Sequence, residues 1–349
     1  MHIFSYRNRR AMRKTLLIIG AVAAFLLILV IGRMIYVQRF IKYSPDGATL
    51  DYNQSLTYSG QTEPARDPAD FPFETVVESE RLQEDSAEPA QPQPLKGYYI
   101  STSMLVTDFS NVEQSLSQLE DYNAVMIDVK SIYGNYYYST NITGAPRTDA
   151  VDPKKVDALI KKLSAQNGVT LIARVPAFSD RNYALAHQTE GLPLSSGALW
   201  EGEDLCYWLN PASAQVQGYL VSIGIELSQQ GFDEVVFDDF FCPTTESIIW
   251  HEELSREEAV AEAAEAIKDS LYGYGIRIDF GSGAPDVAKF SDRIMVSSES
   301  PEDVEDFSAQ YAEVLEDPAS QIVFVTDSRD TRFESCGVLR PLLEKAEEA

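Results

Sequence analysis

Between Gly231 and Pro243 the chain reads GFDEVVFDDFFCP, in which an apolar run, Val235-Val236-Phe237, closes on the adjacent carboxylates Asp238 and Asp239. The arrangement recurs. AVMIDV (124–129) carries Asp128, IRIDF (276–280) carries Asp279, RIMVSSES (293–300) leads to Glu299, and QIVFVTD (321–327) ends at Asp327. Carboxyl groups gathered where apolar strands end can give, take and hold protons, because burial and neighbouring charges push their pKa values apart. Cations accompany them: Lys130 lies two residues beyond Asp128, and VTLIARVP (169–176) carries Arg174. At that spacing Asp128 and Lys130 share a face. Together with Arg174 they are candidates to contact a polar substrate, or to form structural ion pairs among themselves or with another acid.

Other chemistries lack their residues. The cysteines Cys206, Cys242 and Cys336 are too few for a disulfide scaffold and lack C-x-x-C spacing, although one pair could bridge. His187 and His251 are far apart in the globular part, and neither a G-x-S-x-G nor a phosphate-binding P-loop is present. No metal or cofactor is expected.

The elements that must position these groups follow a regular order from Gly97. Short β-rich runs occur at GYYI (97–100), AVMIDV, VTLIARV, EVVF (234–237), IRIDF, RIMV (293–296) and QIVFV (321–325). Helical patterns separate them. One runs from Pro153 to Gly168 and another from Pro211 to Gly231, while capping-box spellings open the helices at Ser255/Glu258 and Ser300/Asp303. Strands alternating with helices predict a parallel sheet with helical crossovers, and about 250 residues is the usual size of a (β/α)8 TIM barrel. Seven strands are legible, so the eighth is expected to be weak or the barrel incomplete or distorted. An open doubly wound sheet is the alternative, but no glycine-rich dinucleotide loop follows the first strand. In a barrel, the carboxyl ends of the strands share one rim, where active sites form.

From Lys96 to about Pro243 the chain resembles the glycoside-hydrolase-like domain family of bacterial (β/α)8 proteins. The motifs carrying the likeness are AVMIDVK (124–130), the Gly134–Tyr138 stretch, LIARVPAFSD (171–180), ALW with Trp200, WLNP (208–211) and GFDEVVFDDFFCP. The resemblance implies a barrel and carbohydrate chemistry, with Asp238 at the family's strand-four acid. The chain departs from the family's F-D-Y-V-R-F-P at that place, since Phe241 stands where the arginine is usual. Ser131 replaces a common acid, and the family's later Met-Tyr-Pro signature has no counterpart near RIMVSSES.

Sugar hydrolysis needs two carboxyl groups on opposite sides of the scissile bond, one to protonate the leaving oxygen and one to attack or to activate water. By family position Asp238 is the nucleophile or base. Adjacent strand residues point to opposite faces, so Asp239 can join it only after a bend and otherwise braces a neighbouring strand. The proton donor must come from another strand: Glu299 first, then Asp279 and Asp327. Flat aromatic platforms complete such a site. Tyr133 and Tyr136–Tyr138 follow strand two, Trp200 and Trp208 follow strand three, and Phe240 and Phe241 follow strand four. Of these, Tyr138, Trp200, Trp208 and Phe240 are the candidate substrate contacts.

The remaining chain sets the surroundings. Residues 1–42 carry eight Lys/Arg and no acid, which leaves 20 basic against 54 acidic residues, or −34, beyond them. Such a surface repels nucleic acid and anionic polymers. Thr15–Gly32 is 18 residues without a charge, enough to cross a hydrocarbon core of about 30 Å. Basic residues precede it, so residues 1–14 are expected as a cytoplasmic tail, 15–37 as a single-pass membrane anchor, and the bulk outside the cell. A cleaved signal peptide is the rival, but Arg33-Met34-Ile35-Tyr36 follows instead of a small-residue cleavage site. Residues 38–95, rich in Pro, Glu, Asp, Ser and Gln, read as an extended acidic stalk to the barrel at 96–349. The expectation is an anchored hydrolase of a cell-surface or environmental polysaccharide. A non-catalytic barrel that binds glycan or an envelope partner is the alternative, and a purely structural envelope protein a third.

Overall fold

The computed structural model describes residues 41–44, 47–50, 94–146, 148–202, 204–281, 284–298 and 300–343. The chain divides into two units, Met1–Ser86 and Ala87–Ala349. Within the first, Ile41–Ser44 and Gly47–Leu50 pair as an antiparallel hairpin. The expected anchor and almost all of the expected stalk lie outside the described residues. Among the described residues no helix is long and apolar enough to cross a membrane.

The second unit contains eight parallel strands: β1 (Lys96–Ile100), β2 (Ala124–Asp128), β3 (Thr170–Pro176), β4 (Glu234–Asp238), β5 (Arg277–Phe280), β6 (Ile294–Ser297), β7 (Ile322–Val325) and β8 (Gly337–Pro341). They hydrogen-bond in the order β5-β4-β3-β2-β1-β8-β7-β6. Because β1 pairs with both β2 and β8, the sheet curls into a nearly closed (β/α)8-type barrel. The strand that the sequence leaves open is β8, GVLRP. It begins on glycine and ends on proline, so propensity hides it; pairing to β1 and β7 on both sides creates it.

Helices connect the strands: α1 (Thr102–Thr107) and α2 (Phe109–Gln118) after β1, α3 (Pro153–Ser164) after β2, α4 (Arg181–Ala186) and α5 (Ala214–Gln230) after β3, and α6 (Arg256–Leu271) after β4. Beyond β5 comes α7 (Pro285–Ala288), and beyond β6 come α8 (Asp303–Tyr311) and α9 (Pro318–Gln321). Local chemistry sets their ends. Pro153 opens α3 behind the Asp152 cap, Gly231 closes α5 in the left-handed region at φ 93°, and Ser255 with Glu258 forms the expected capping box of α6. The box spelled at Ser300 does not form. Helix α8 starts later, and Asp303 accepts a bond from Ser298 instead.

Alternation along the strands sorts two apolar layers. Outward residues such as Val125, Ile127, Ala173, Val235 and Phe237 pack with the helices. Inward residues Ala124, Met126, Ile172, Val236, Val323 and Leu339 fill the barrel interior. Gly97 lets β1 approach β2 there, for a Cβ would overlap the Ala124 carbonyl.

Closure fails at one place. No backbone ladder joins β5 to β6 among the described residues, and side chains close the gap. Ile278 N–H donates to Asp292 Oδ2 at 2.8 Å, Phe280 N–H to Ser291 Oγ at 3.1 Å, and Arg293 N–H to Asp279 Oδ1 at 2.5 Å. One ordinary backbone bond, Asp292 N–H to the Ile278 carbonyl at 2.9 Å, joins them.

Candidate active site

Three strand ends converge at the carboxyl-terminal mouth. Asp128 ends β2 beside Arg174 of β3, and Asp238 ends β4 opposite Pro176. Arg174 grips Asp128 with both arms, Nε to Oδ1 at 2.6 Å and Nη2 to Oδ2 at 2.8 Å. Its Nη1 lies 3.6 Å from Asp238 Oδ2. Burial works against the Arg174 charge, but the Asp128 bonds and charge, then Asp238 and Tyr99, outweigh it and lift its pKa, leaving a permanent fixed cation. The Asp238 side chain is 41% exposed, against 10% for Asp128. A ligand entering the mouth therefore meets Asp238, while Asp128 holds the arginine.

The strand bends immediately beyond. Asp239 has φ 50°, in the left-handed region. Its carboxylate accepts a bond from Ser179 Oγ, and its N–H donates to Asp238 Oδ1 at 3.0 Å. Burial raises the Asp239 pKa, and the charge of Asp238 adds to the rise against the opposing pull of Ser179, Arg174 and Lys130.

Gly281, just past β5, leaves room for Asp238: a Cβ there would lie 2.6 Å from Asp238 Oδ1 and 2.9 Å from its Cα. Gly281→Ala is expected to displace Asp238 and to cost about 1–3 kcal/mol by overpacking. A combined loss of ligand binding and urea stability would show it, and wild-type values for both would refute it.

A ledge of rings flanks the bend. Trp208 sits 4.7 Å from Phe241 and 6.2 Å from Trp200, centroid to centroid, with Phe241 45% exposed. Trp208 also bridges Ser179 through the backbone, which places the ledge beside Asp239.

Several expected contacts lie elsewhere. Phe240 is fully buried between Phe178 and Phe280, with centroids 4.6 and 4.4 Å away. The bend at Asp239 turns it inward and presents Phe241 in its place. Tyr138 is also fully buried, and its hydroxyl donates to Glu226 Oε2 of α5 at 2.7 Å. It anchors the β2–α3 loop to a helix and offers no sugar platform. Lys130 is sealed as well: its ammonium lies 2.8 Å from Asp180 Oδ2 and donates to the Pro176 carbonyl at 2.9 Å. Asp180 further accepts from the Tyr219 hydroxyl and the Tyr183 N–H, each at 2.8 Å. Lys130 thus fastens the end of β3 from behind and does not reach the mouth.

Among the expected carboxylates, Asp279 points into the barrel interior, fully buried, where it takes the Arg293 N–H across the β5–β6 gap. The sequence pattern put it at the rim, yet β5 continues past it to Phe280. Its neighbour is Glu234, which pairs with Arg277 Nε at 2.9 Å and with Arg293. Asp327 is exposed in the turn after β7. Glu299 lies outside the described residues. Tyr219, Glu226 and Glu234 escaped sequence reasoning because each sits among ordinary helix or strand positions, and Asp180 because it reads as the N-cap of α4. Phe241 carried a signal, as the position where the family's arginine is missing. The three cysteines are buried free thiols, and burial pushes Cys242 up to about 11. Among the described residues no group of three His, Cys, Asp or Glu is placed to hold a metal ion.

A family model described as "Putative glycosyl hydrolase domain" matches residues 97–278, just over half of the chain. No curated protein matches. Solved structures do. A hypothetical protein from Ruminiclostridium thermocellum is 22% identical at a TM-score of 0.46, covering 52% of this chain and 96% of that one. Aspergillus fumigatus Ega3 in complex with galactosamine is 12% identical at 0.46, covering 72% and 93%. The glycoside hydrolase domain of Pseudomonas aeruginosa PelA is 16% identical at 0.41, covering 67% and 83%.

Proposed function

The chain belongs to the family described as "Putative glycosyl hydrolase domain", and from that membership we propose that it hydrolyses a glycosidic bond of a cell-surface or environmental polysaccharide. The observation that carries the reading is the setting of Asp238. It is a half-exposed carboxylate at the mouth of the barrel, steered by the Arg174 cation and flanked by an aromatic ledge. In the reaction Asp238 attacks the anomeric carbon or takes a proton from the attacking water. Arg174, itself locked by Asp128, fixes the direction of that carboxylate. Trp208, Phe241 and Trp200 offer apolar faces to the sugar ring. Of the donors expected from the sequence, Asp279 is sealed inside the barrel, which leaves Glu299 and Asp327, while Asp239 beyond the bend is a further carboxyl beside Asp238. In the same reading residues 15–37 anchor the protein in the cell membrane and hold the acidic bulk outside.

A binding barrel without catalysis is the second reading. The replacement of the family's arginine by Phe241 favours it, because that position now contributes a ring to the ledge and no charge to the chemistry.

The test is a polysaccharide panel, peptidoglycan included, scored for binding and for new reducing ends with the full chain in detergent. Asp238→Asn is expected to cut release by about 100-fold or more while binding persists. Binding without release in the wild type would overturn the hydrolase reading and leave glycan recognition.

A further inference from the structure

We propose that Asp239, which follows Asp238 on a left-handed bend and docks on Ser179, is the acid that protonates the leaving oxygen, an assignment that rests on the hydrolase reading above. An uninterrupted strand would send Asp238 and Asp239 to opposite faces. The strand ends at Asp238, and a non-glycine residue at φ 50° follows it. Such a conformation is strained for most side chains and gathers where function demands it. Asp tolerates it better than most.

The bend has two visible results. Asp239 stays against Asp238, its N–H donating to Asp238 Oδ1 at 3.0 Å, and Asp238 in turn faces Arg174. Asp239 also docks on Ser179, whose backbone bridges Trp208, so it sits between Asp238 and the ring ledge. In this assignment a sugar stacked on the ledge meets Asp238 and Asp239 together.

The two acids differ in surroundings as acid and base must. Asp238 is open to solvent and faces a fixed cation. Asp239 is partly buried, and burial first, then the Asp238 charge, raises its pKa against the opposing pull of Ser179, Arg174 and Lys130. Of the rivals, Asp279 is sealed inside the barrel and Asp327 stands out in solvent beyond β7. The step balances. The Asp239 proton moves to the glycosidic oxygen as the C1–O bond breaks and its electron pair stays on that oxygen. Asp238 adds to C1, or water adds while Asp238 takes its proton. One water is consumed overall, and Asp239 regains its proton from the water that completes hydrolysis or from solvent.

The experiment pairs two leaving groups on the full chain. One substrate is a polysaccharide that the wild type cleaves. The other is the 2,4-dinitrophenyl glycoside of the same sugar, whose phenolate departs without a proton. Asp239→Asn preserves shape and suits the left-handed backbone. In kcat/KM it is expected to lose about 100- to 10,000-fold on the polysaccharide, to keep nearly the full value on the dinitrophenyl glycoside, and to lose the basic limb of the pH profile. Equal losses on both substrates, or no loss on either, would overturn the assignment while leaving the hydrolase reading intact. So would a leaving-group-dependent loss in Glu299→Gln that Asp239→Asn lacks. A wild type that releases nothing from any substrate overturns the hydrolase reading itself, and the assignment with it.

Discussion

Lys130→Ala is expected to destabilise the barrel by about 3–5 kcal/mol, the usual cost of breaking a buried ion pair from one side. Lys130 is fully enclosed and its partner Asp180 nearly so, at 0% and 1% side-chain exposure. Removing the ammonium leaves Asp180 with only the neutral donors Tyr219 and Tyr183. It also frees the Pro176 carbonyl, and Pro176 is the register partner of Asp238. Stability and site geometry should therefore fall together. A cycle of Lys130→Met, Asp180→Asn and the double variant separates the causes by urea unfolding. The double variant should recover much of the loss, because both charges are gone and no carboxylate is stranded. Strict additivity of the two single losses would show that the pair is not coupled.

The second large effect concerns Asp279. Glu234 Oε1 and Asp279 Oδ2 are both buried and neither finds a hydrogen-bond partner, so the two side chains can satisfy those atoms only by hydrogen-bonding one another. Two carboxylates cannot do so unless one carries a proton. Arg277 and Arg293 face Glu234. Against the cost of burial, its bond from Asp279 and those two charges hold it below its ordinary range, so the proton resides on Asp279. Burial first, then the Glu234 charge, raises Asp279 well above its ordinary value. Asp292 adds to the rise and Arg293 opposes it. A carboxyl raised on folding stabilises fully below its unfolded pKa, near 3.8. That contribution fades as pH climbs through the folded value. Glu234 acts in the opposite sense: its contribution is present above its ordinary 4.5 and fades as pH falls through its lowered value. Asn mimics protonated Asp, offering one donor to Glu234 and one acceptor to the Arg293 N–H. Asp279→Asn is thus expected to cost under about 1 kcal/mol and to flatten the loss of stability toward alkaline pH. Asp279→Ala should cost about 3–5 kcal/mol, since it strands the Glu234 charge and opens the β5–β6 closure. Urea midpoints at rising pH check both. An Asn variant as damaged as the Ala variant would mean that Asp279 is ionised.

Much of this architecture was legible because local signals agree with the fold. Val-, Ile- and Phe-rich runs bounded by Gly, Pro and Ser mark seven strands, and Pro153, Gly231 and the Ser255 box mark helix ends. Strand β8 was hidden because GVLRP has almost no β-branched content; its stability comes from both neighbours. The rim position of Asp128, Arg174 and Asp238 was readable, since strand direction alone puts them there. Which way Asp279 faces was not, because it depends on where β5 ends and on a gap that only tertiary packing creates. Phe240 and Phe241 exchange roles through one backbone angle at Asp239. Tyr138 is claimed by Glu226, 88 residues along the chain. Short motifs carry no information about such partners.

The gap between β5 and β6 has a dynamic consequence. A ladder strand gives up its backbone bonds only as the sheet dissolves. Here the Ile278, Phe280 and Arg293 amides hang on side chains that can rotate away one at a time. These protons should exchange with deuterium ahead of those in β2–β4, through openings smaller than global unfolding. The family match ends at 278, at this same edge. The last three strands join the rest of the sheet by ladder bonds only where β8 meets β1, so opening is expected to begin at the β5–β6 gap while the strands bearing Asp128, Arg174 and Asp238 stay paired.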